Sequence, residues 1–123
     1  MNSLYSFLGL MQRAGKLTTG DDGVEIDIKK EKSELVIIAA DASDNTKKRF
    51  INMCENRKIK YIVFGEKSEI GNSIGKSARS VLSVKDKNFA EGFLKKLGSE
   101  NIGGESIVNN KSIWIGKTIK YVK

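Results

Sequence analysis

The chain has 123 residues, enough for one domain with one core, and carries 22 lysines and arginines against 15 aspartates and glutamates, a net charge of +7. That balance favours polyanionic partners, nucleic acid first and an anionic membrane surface second. The lone Cys54 excludes an intrachain disulfide and a cysteine-cluster metal site, and the absence of histidine removes the commonest general base and zinc ligand.

In chain order, Leu4, Phe7, Leu8 and Met11 recur at helical spacing, with Gly15 as the stop. Met1 to Leu10 lack a charged start and a signal-type cleavage site, so a cytoplasmic protein is expected. A short Lys16 to Thr19 segment leads to Gly20, and Thr19 to Asp22 reads as a turn or a helix start. Val24, Ile26 and Ile28 then alternate with Glu25 and Asp27, as in a strand. The charge order, acids early and Lys29, Lys30 and Lys32 late, instead suits a helix dipole. Periodicity leaves this segment open.

Leu35 to Ala40 is a short apolar run, suited to a strand buried on both faces. Asp41 to Asp44 supply candidate caps for a helix from about Asp44 to Lys58, whose first turns hold Lys47, Lys48 and Arg49. A positive patch is thereby expected just beyond the carboxyl end of a central strand, where open α/β sheets present ligands. The competing reading is a solvated helix face. Phe50, Ile51 and Cys54 can face the core, with Met53 near the edge and the cysteine a small buried filler. Tyr61 to Phe64 forms a second strand, Ile70 and Ile74 share one face of a short helix, Ser80 to Val84 forms another strand, and Phe89, Phe93, Leu94 and Leu97 mark a last helix. Strands alternating with helices argue for an α/β fold with helices packed on a central sheet. A domain of residues 1–97 is expected. The basic tail, 98–123, is glycine-rich at its start and is read as a possible hairpin or loosely docked arm. Trp114 and Tyr121 in it could stack on bases or anchor it to the domain.

Gly71-Asn-Ser-Ile-Gly75-Lys76-Ser77 resembles a phosphate-binding loop, but three residues separate its glycines where four are needed. Its better use is a turn that offers Lys76, Ser77 and Arg79 to phosphates, against the alternative of a plain surface loop. The paired carboxylates, Asp21 with Asp22 and Asp41 with Asp44, could serve acid–base work or magnesium. Both pairs stand where helices begin, and capping explains them. No nucleophile has a base beside it, so no enzyme, cofactor or metal site is expected. No basic amphipathic helix with a broad apolar face stands out, so no membrane partner is expected.

Four stretches carry a family resemblance: Arg13-Ala-Gly-Lys-Leu, Thr19-Gly-Asp-Asp-Gly-Val, the block from Leu35 to Lys48, and Glu69-Ile-Gly-Asn-Ser-Ile-Gly-Lys. They resemble the L7Ae/L30e ribosomal protein family, most closely its bacterial YlxQ-type members, over about residues 3 to 97. The resemblance implies a three-layer α/β/α sandwich around a four-stranded mixed sheet, and binding to RNA, often to kink-turns. It also implies that Val24 to Ile28 is helical. In the family an RNA-facing helix begins with glycine, a small polar residue, asparagine and glutamate, and a lysine follows three residues later. Here the positions hold Gly20, Asp21, Asp22, Gly23 and Ile26, so the base-reading amide, the carboxylate and the cation are all absent. Lys30 matches a basic position one turn on. The second RNA-facing element maps near Gly75 to Ser80.

The expected function is therefore binding of structured RNA, ribosomal or ribosome-associated, by a monomer. Gly20, Asp21 and Asp22 would approach the RNA backbone through main-chain amides. Lys16, Lys30, Lys76 and Arg79 would contact phosphates, supported by Gly75, Ser77, Lys47 and Lys48. The alternative is a protein–protein module that kept the scaffold and lost the RNA site.

Overall fold

The computed structural model describes residues 3–100, with side chains from 3 to 98. In chain order the elements are α1 (Ser3–Arg13), β1 (Leu17–Thr19), α2 (Asp21–Lys29), β2 (Leu35–Ile38), α3 (Asp44–Arg57), β3 (Tyr61–Val63), α4 (Lys67–Ser73), β4 (Val81–Val84) and α5 (Lys87–Glu100). The expected domain boundary at Leu97 falls inside α5, and the rest of the expected tail, with Trp114 and Tyr121, lies outside the described residues.

The sheet order is β1-β4-β2-β3. β4 runs antiparallel to both β1 and β2, and β2 runs parallel to β3, so the sheet is mixed. All four residues of β2 and of β4 are buried, as in strands covered on both faces; β2 is apolar throughout, and the one polar residue of β4, Ser83, shares a 2.6 Å hydrogen bond with the Ser33 hydroxyl. Helices α1, α4 and α5 pack together on one face, and α2 and α3 on the other. The result is the expected three-layer α/β/α sandwich. Phe7, Phe64, Phe89 and Phe93 form an aromatic cluster under α1 and α5, with Phe7 stacked on Phe93 at 6.4 Å and Phe64 edge-on to it at 5.5 Å. Phe50 and Cys54 fill the layer beneath α3. Gly15, at φ 73°, sits in the left-handed region just past α1 and ends it, as its position in the sequence suggests.

The open segment 24–28 is helical. Val24 and Ile28 are buried one turn apart, and Ile26 is left 52% exposed on the outer face. A strand would have put all three on one side. The alternation is real, but burial follows the helical period.

Hydrogen bonds at the strand termini define two ends of the sheet. At the upper end, Gly20 donates to Val81 (3.2 Å), Ala39 to Ser80 (2.8 Å) and Ala40 to Gly65 (2.7 Å). At the lower end, Lys85 donates to Lys16 (2.9 Å), Glu34 to Val84 (2.8 Å) and Val36 to Lys60 (3.0 Å). Helices α2 and α3 both begin at the upper end and finish at the lower one.

Candidate nucleic-acid interface

Gly20 sets the geometry of the upper end. Its φ of 92° and ψ of 154° belong to a region open essentially to glycine. Its own amide is spent on Val81 and its carbonyl accepts from Val24 (3.0 Å), so α2 starts pressed against the first residue of β4. No side chain caps this helix. The first-turn amides of Asp21, Asp22 and Gly23 are therefore the orphan donors that a helix N-terminus presents to an anion.

The loop after α4 reaches the same place. Gly71, within the helix, lets the chain fold back: a Cβ there would stand 2.1 Å from the Ser77 carbonyl oxygen. Lys76 donates to the Gly71 carbonyl (2.9 Å), and Gly75 turns the chain at φ 75°. Arg79 then ties the loop to β1. Its Nε donates to Thr19 Oγ1 (3.2 Å), and its Nη1 donates to Ser77 Oγ (2.8 Å) and to the Ser77 and Ala78 carbonyls (both 3.2 Å). The phosphate-loop likeness dissolves here, because Gly71 to Ser73 end a helix, whereas a phosphate loop precedes one.

The sequence-predicted residues thus separate into two groups. Gly20, Asp21, Asp22, Gly75, Lys76, Ser77 and Arg79 converge at the upper end, and Lys47 and Lys48 flank them from the first turns of α3. Lys16 and Lys30 do not join them. They lie before β1 and after α2, at the lower end, about 13 Å away along β1 or along the nine residues of α2.

Within the upper group, Lys48 and Lys76 are exposed and free of ion pairs, while Arg79 is half-buried and occupied by the protein itself. The third cation of the α3 cluster is also engaged. Arg49 pairs with Glu25 and lies 3.6 Å from Asp21. Lys29 holds Glu25 from the other side at 2.8 Å, and these two cations, Lys29 first, keep its carboxyl below the usual glutamate range.

The segment Asp41 to Asp44 does supply the cap of α3, but the reading of its paired aspartates as caps of that helix needs correction. Ser43, rather than either aspartate, caps α3, its Oγ accepting from Thr46 N at 3.1 Å. Asp41 Oδ1 instead accepts from Lys67 N at 2.8 Å and caps the start of α4. The cause is the parallel pairing of β2 with β3, which sets Ala40 against Gly65 and swings Asp41 towards the next helix. Asp21 and Asp22 occupy the first turn of α2 and complement its dipole without capping it.

Sequence reasoning missed three features: the Arg49 link between α2 and α3, the role of Thr19 as a seat for Arg79, and the close approach at Gly23. A Cβ on Gly23 would meet Thr18 Cγ2 at 2.8 Å, so glycine there serves packing of α2 on β1. Only the pairing of acidic Asp21 and Glu25 with a nearby basic helix carried any signal of these.

The fold and this end of the sheet define a class: a three-layer sandwich in which a glycine-led helix and a pinned basic loop meet beside β4. The family profile "Ribosomal protein L7Ae/L30e/S12e/Gadd45 family" matches residues 2–93, and the chain belongs to that family. It is 37% identical over 93 residues to "RNA-binding protein YlxQ" of Bacillus subtilis (strain 168), covering 76% of this chain and 93% of the relative. A solved structure of a protein of unknown function from Bacillus halodurans C superposes with a TM-score of 0.74 at 34% identity, over 77% of this chain and 96% of that one. The "Giardia lamblia 15.5kD RNA binding protein" shares the fold, with a TM-score of 0.66 at 22% identity over 80% of this chain and 91% of that one. The family is not enzymatic, and neither is this protein. No helix among the described residues is long and apolar enough to cross a membrane.

Proposed function

We propose that residues 1–97 bind structured RNA, ribosomal or ribosome-associated, in the cytoplasm, using the upper end of the sheet. The observation that carries this reading is the meeting of the uncapped, glycine-led start of α2 with the loop bearing Lys76, through the Arg79 bridge to Thr19. Main-chain amides of α2 would take one phosphate, and Lys48 and Lys76 neighbouring ones. The family match and the name of the YlxQ relative support the same reading.

Readout of bases is weak in this proposal. Asp22 is exposed where an amide would read a base, and the exposed Ile26 stands where a cation would reach a phosphate. Each lost charge-assisted contact removes about 1.5–3 kcal/mol. Preference for a kink-turn over a plain duplex is therefore expected to be about tenfold or less, roughly 1.4 kcal/mol. Competition binding with both RNAs tests this on the natural protein and on the double variant Asp22→Asn, Ile26→Lys, which should show a larger preference. Gly23 is left alone because a side chain there would strain against Thr18. Strong kink-turn preference in the natural protein would sink the weak-readout reading, and no RNA binding at all would sink the function.

A second reading, a protein–protein module on the same scaffold, is favoured by one observation. Ile26 exposes 52% of its surface beside an acidic helix start, a combination that suits a protein partner better than a phosphate backbone.

A further inference from the structure

The excess positive charge does not sit at the end that carries the candidate interface. At the upper end, the acids within 21–25, 41–44 and 66–69 nearly match the cations within 47–49 and at 67, 76 and 79. At the lower end the balance is different. Lys16, Lys32, Lys58, Lys60, Lys85 and Lys87 are all exposed, and none forms an ion pair among the described residues. The end of β4 and the starts of β1, β2 and β3 meet here through the bonds Lys85 to Lys16 and Val36 to Lys60. Against them stand Glu31, Glu34, Glu55, Asp86 and Glu91, of which Glu55 accepts from the Tyr61 hydroxyl (2.7 Å) and Asp86 caps α5 through its 2.9 Å bond from Phe89 N.

Lys58, Lys60 and Lys87, three cations against the two carboxylates Glu34 and Glu91, rim a cleft of about 180 Å³ between the α3–β3 turn and the first turns of α5, whose apolar lining is Ile59, Ala90 and Leu94. The plainest account of basic residues here is complementation of helix C-termini. It fits Lys30 at the end of α2 and Arg57 at the end of α3. It also fits the charge of Lys58, the C-cap of α3, but it does not fit Lys87. Lys87 opens α5, at the positive end of that helix dipole, and the first turn of α5 contains no acid. Lys58 adopts φ 59° and ψ 39°, the left-handed conformation for which glycine is the usual choice. The helix dipole thus disfavours a lysine at Lys87 and the backbone conformation favours glycine at Lys58, and both positions line one cleft.

We infer that the lower end is a second RNA-binding face, taking the phosphate backbone without reading bases, so that one molecule bridges two RNA segments. The inference rests on the RNA-binding reading above. The fourteen residues of α3 separate the two faces by about 20 Å, so two separate RNA segments can be held at once. A membrane fits less well. Among the described residues the exposed large apolar side chains are Leu10 and Ile26, neither of which lines the cleft, and interfacial binding draws on apolar insertion as well as charge.

Bridging is tested with a plain RNA duplex prepared in two batches, one bearing a fluorescence donor and the other an acceptor. The natural protein should bring the two into energy transfer. The triple variant Lys58→Gln, Lys60→Gln, Lys87→Gln should lose the transfer while still binding one duplex. Its slope of log affinity against log salt should be shallower by about two to three, close to one per lost phosphate contact. The pair Lys60→Gln, Lys85→Gln, which leaves the end of α3 and the first turn of α5 untouched, should move the same way and guards against a folding defect. Unchanged transfer and slope in both variants would overturn the second face while leaving the upper interface standing. If instead Lys48→Gln, Lys76→Gln abolishes all RNA binding, the upper end works alone and the inference is equally overturned. No duplex binding by the natural protein would sink the functional reading itself. A lower-end variant that loses affinity for phosphatidylserine vesicles but not for RNA would assign the face to membranes and overturn the inference too.

Discussion

Arg79 and Lys76 look alike in the sequence, as two cations in one small-residue loop. The structure gives them different work. Arg79 spends its guanidinium on Thr19, Ser77 and Ala78 and holds the loop against β1, while Lys76 is exposed and in no ion pair. Arg79→Ala should lower unfolding free energy by about 1–2 kcal/mol in urea titration, since it removes hydrogen bonds to a charged group at a half-buried site. Lys76→Ala should shift it by about 0.5 kcal/mol or less, yet weaken RNA binding. Equal stability losses would refute this division. Glu25 provides a pH test. Its folded pKa lies below the ordinary glutamate value, Lys29 and Arg49 being the causes. The favoured state is the ionised one, so its contribution is present above the usual glutamate range and fades as pH falls through the folded pKa. The stability gap between the natural protein and Glu25→Gln should be visible near neutrality and close in acid. A gap that persists below the range of glutamate titration would mean the side chain acts through packing. The residue scale is also where sequence reasoning read least. Residue type suggested that Asp41 is a cap, but which helix it caps depends on strand pairing far along the chain.

The elements themselves were more legible. A continuous apolar run marked β2 as a central strand, and its complete burial shows why; Ser80 to Val84 was legible as a strand, but its equally buried, central place as β4 was not. Helix α2 was open because Val24, Ile26 and Ile28 satisfy a strand pattern, and only packing exposes Ile26 and decides the matter. Close approaches between elements left no trace in any pattern. Gly71 is the clearest case, reading as part of a glycine-flanked loop while lying inside α4 under the Ser77 carbonyl. Gly71→Ala would gain about 1 kcal/mol in helix propensity but force the backbone of Ser77 and Ala78 away, a strain of about 1–3 kcal/mol. The strain should win. Thermal unfolding should show a less stable protein, and RNA affinity should fall although no cation has been changed. A more stable Gly71→Ala protein with full affinity would show that the loop is free of the helix.

At the scale of the whole molecule, net charge was readable at once, but its distribution was not. Ends of the sheet are defined by which strand termini meet, and that is a property of topology. Lys16, Lys58, Lys60 and Lys85 are scattered along the chain yet gather at one end. RNA affinity should fall steeply and linearly on a log–log plot against salt, and a flat plot would remove the electrostatic basis of binding.

The sheet order carries one more consequence. Both of its outer strands, β1 and β3, are three residues long, whereas the longer β2 and β4 are enclosed between them. A short border offers an incoming chain few free backbone groups to pair with, which is how natural sheets discourage fibril growth and strand exchange. A protein that concentrates charge on its ends and truncates its borders is poorly built to polymerise through its sheet. Its helical layers and lysine-rich rim are left as the surfaces through which it meets other molecules.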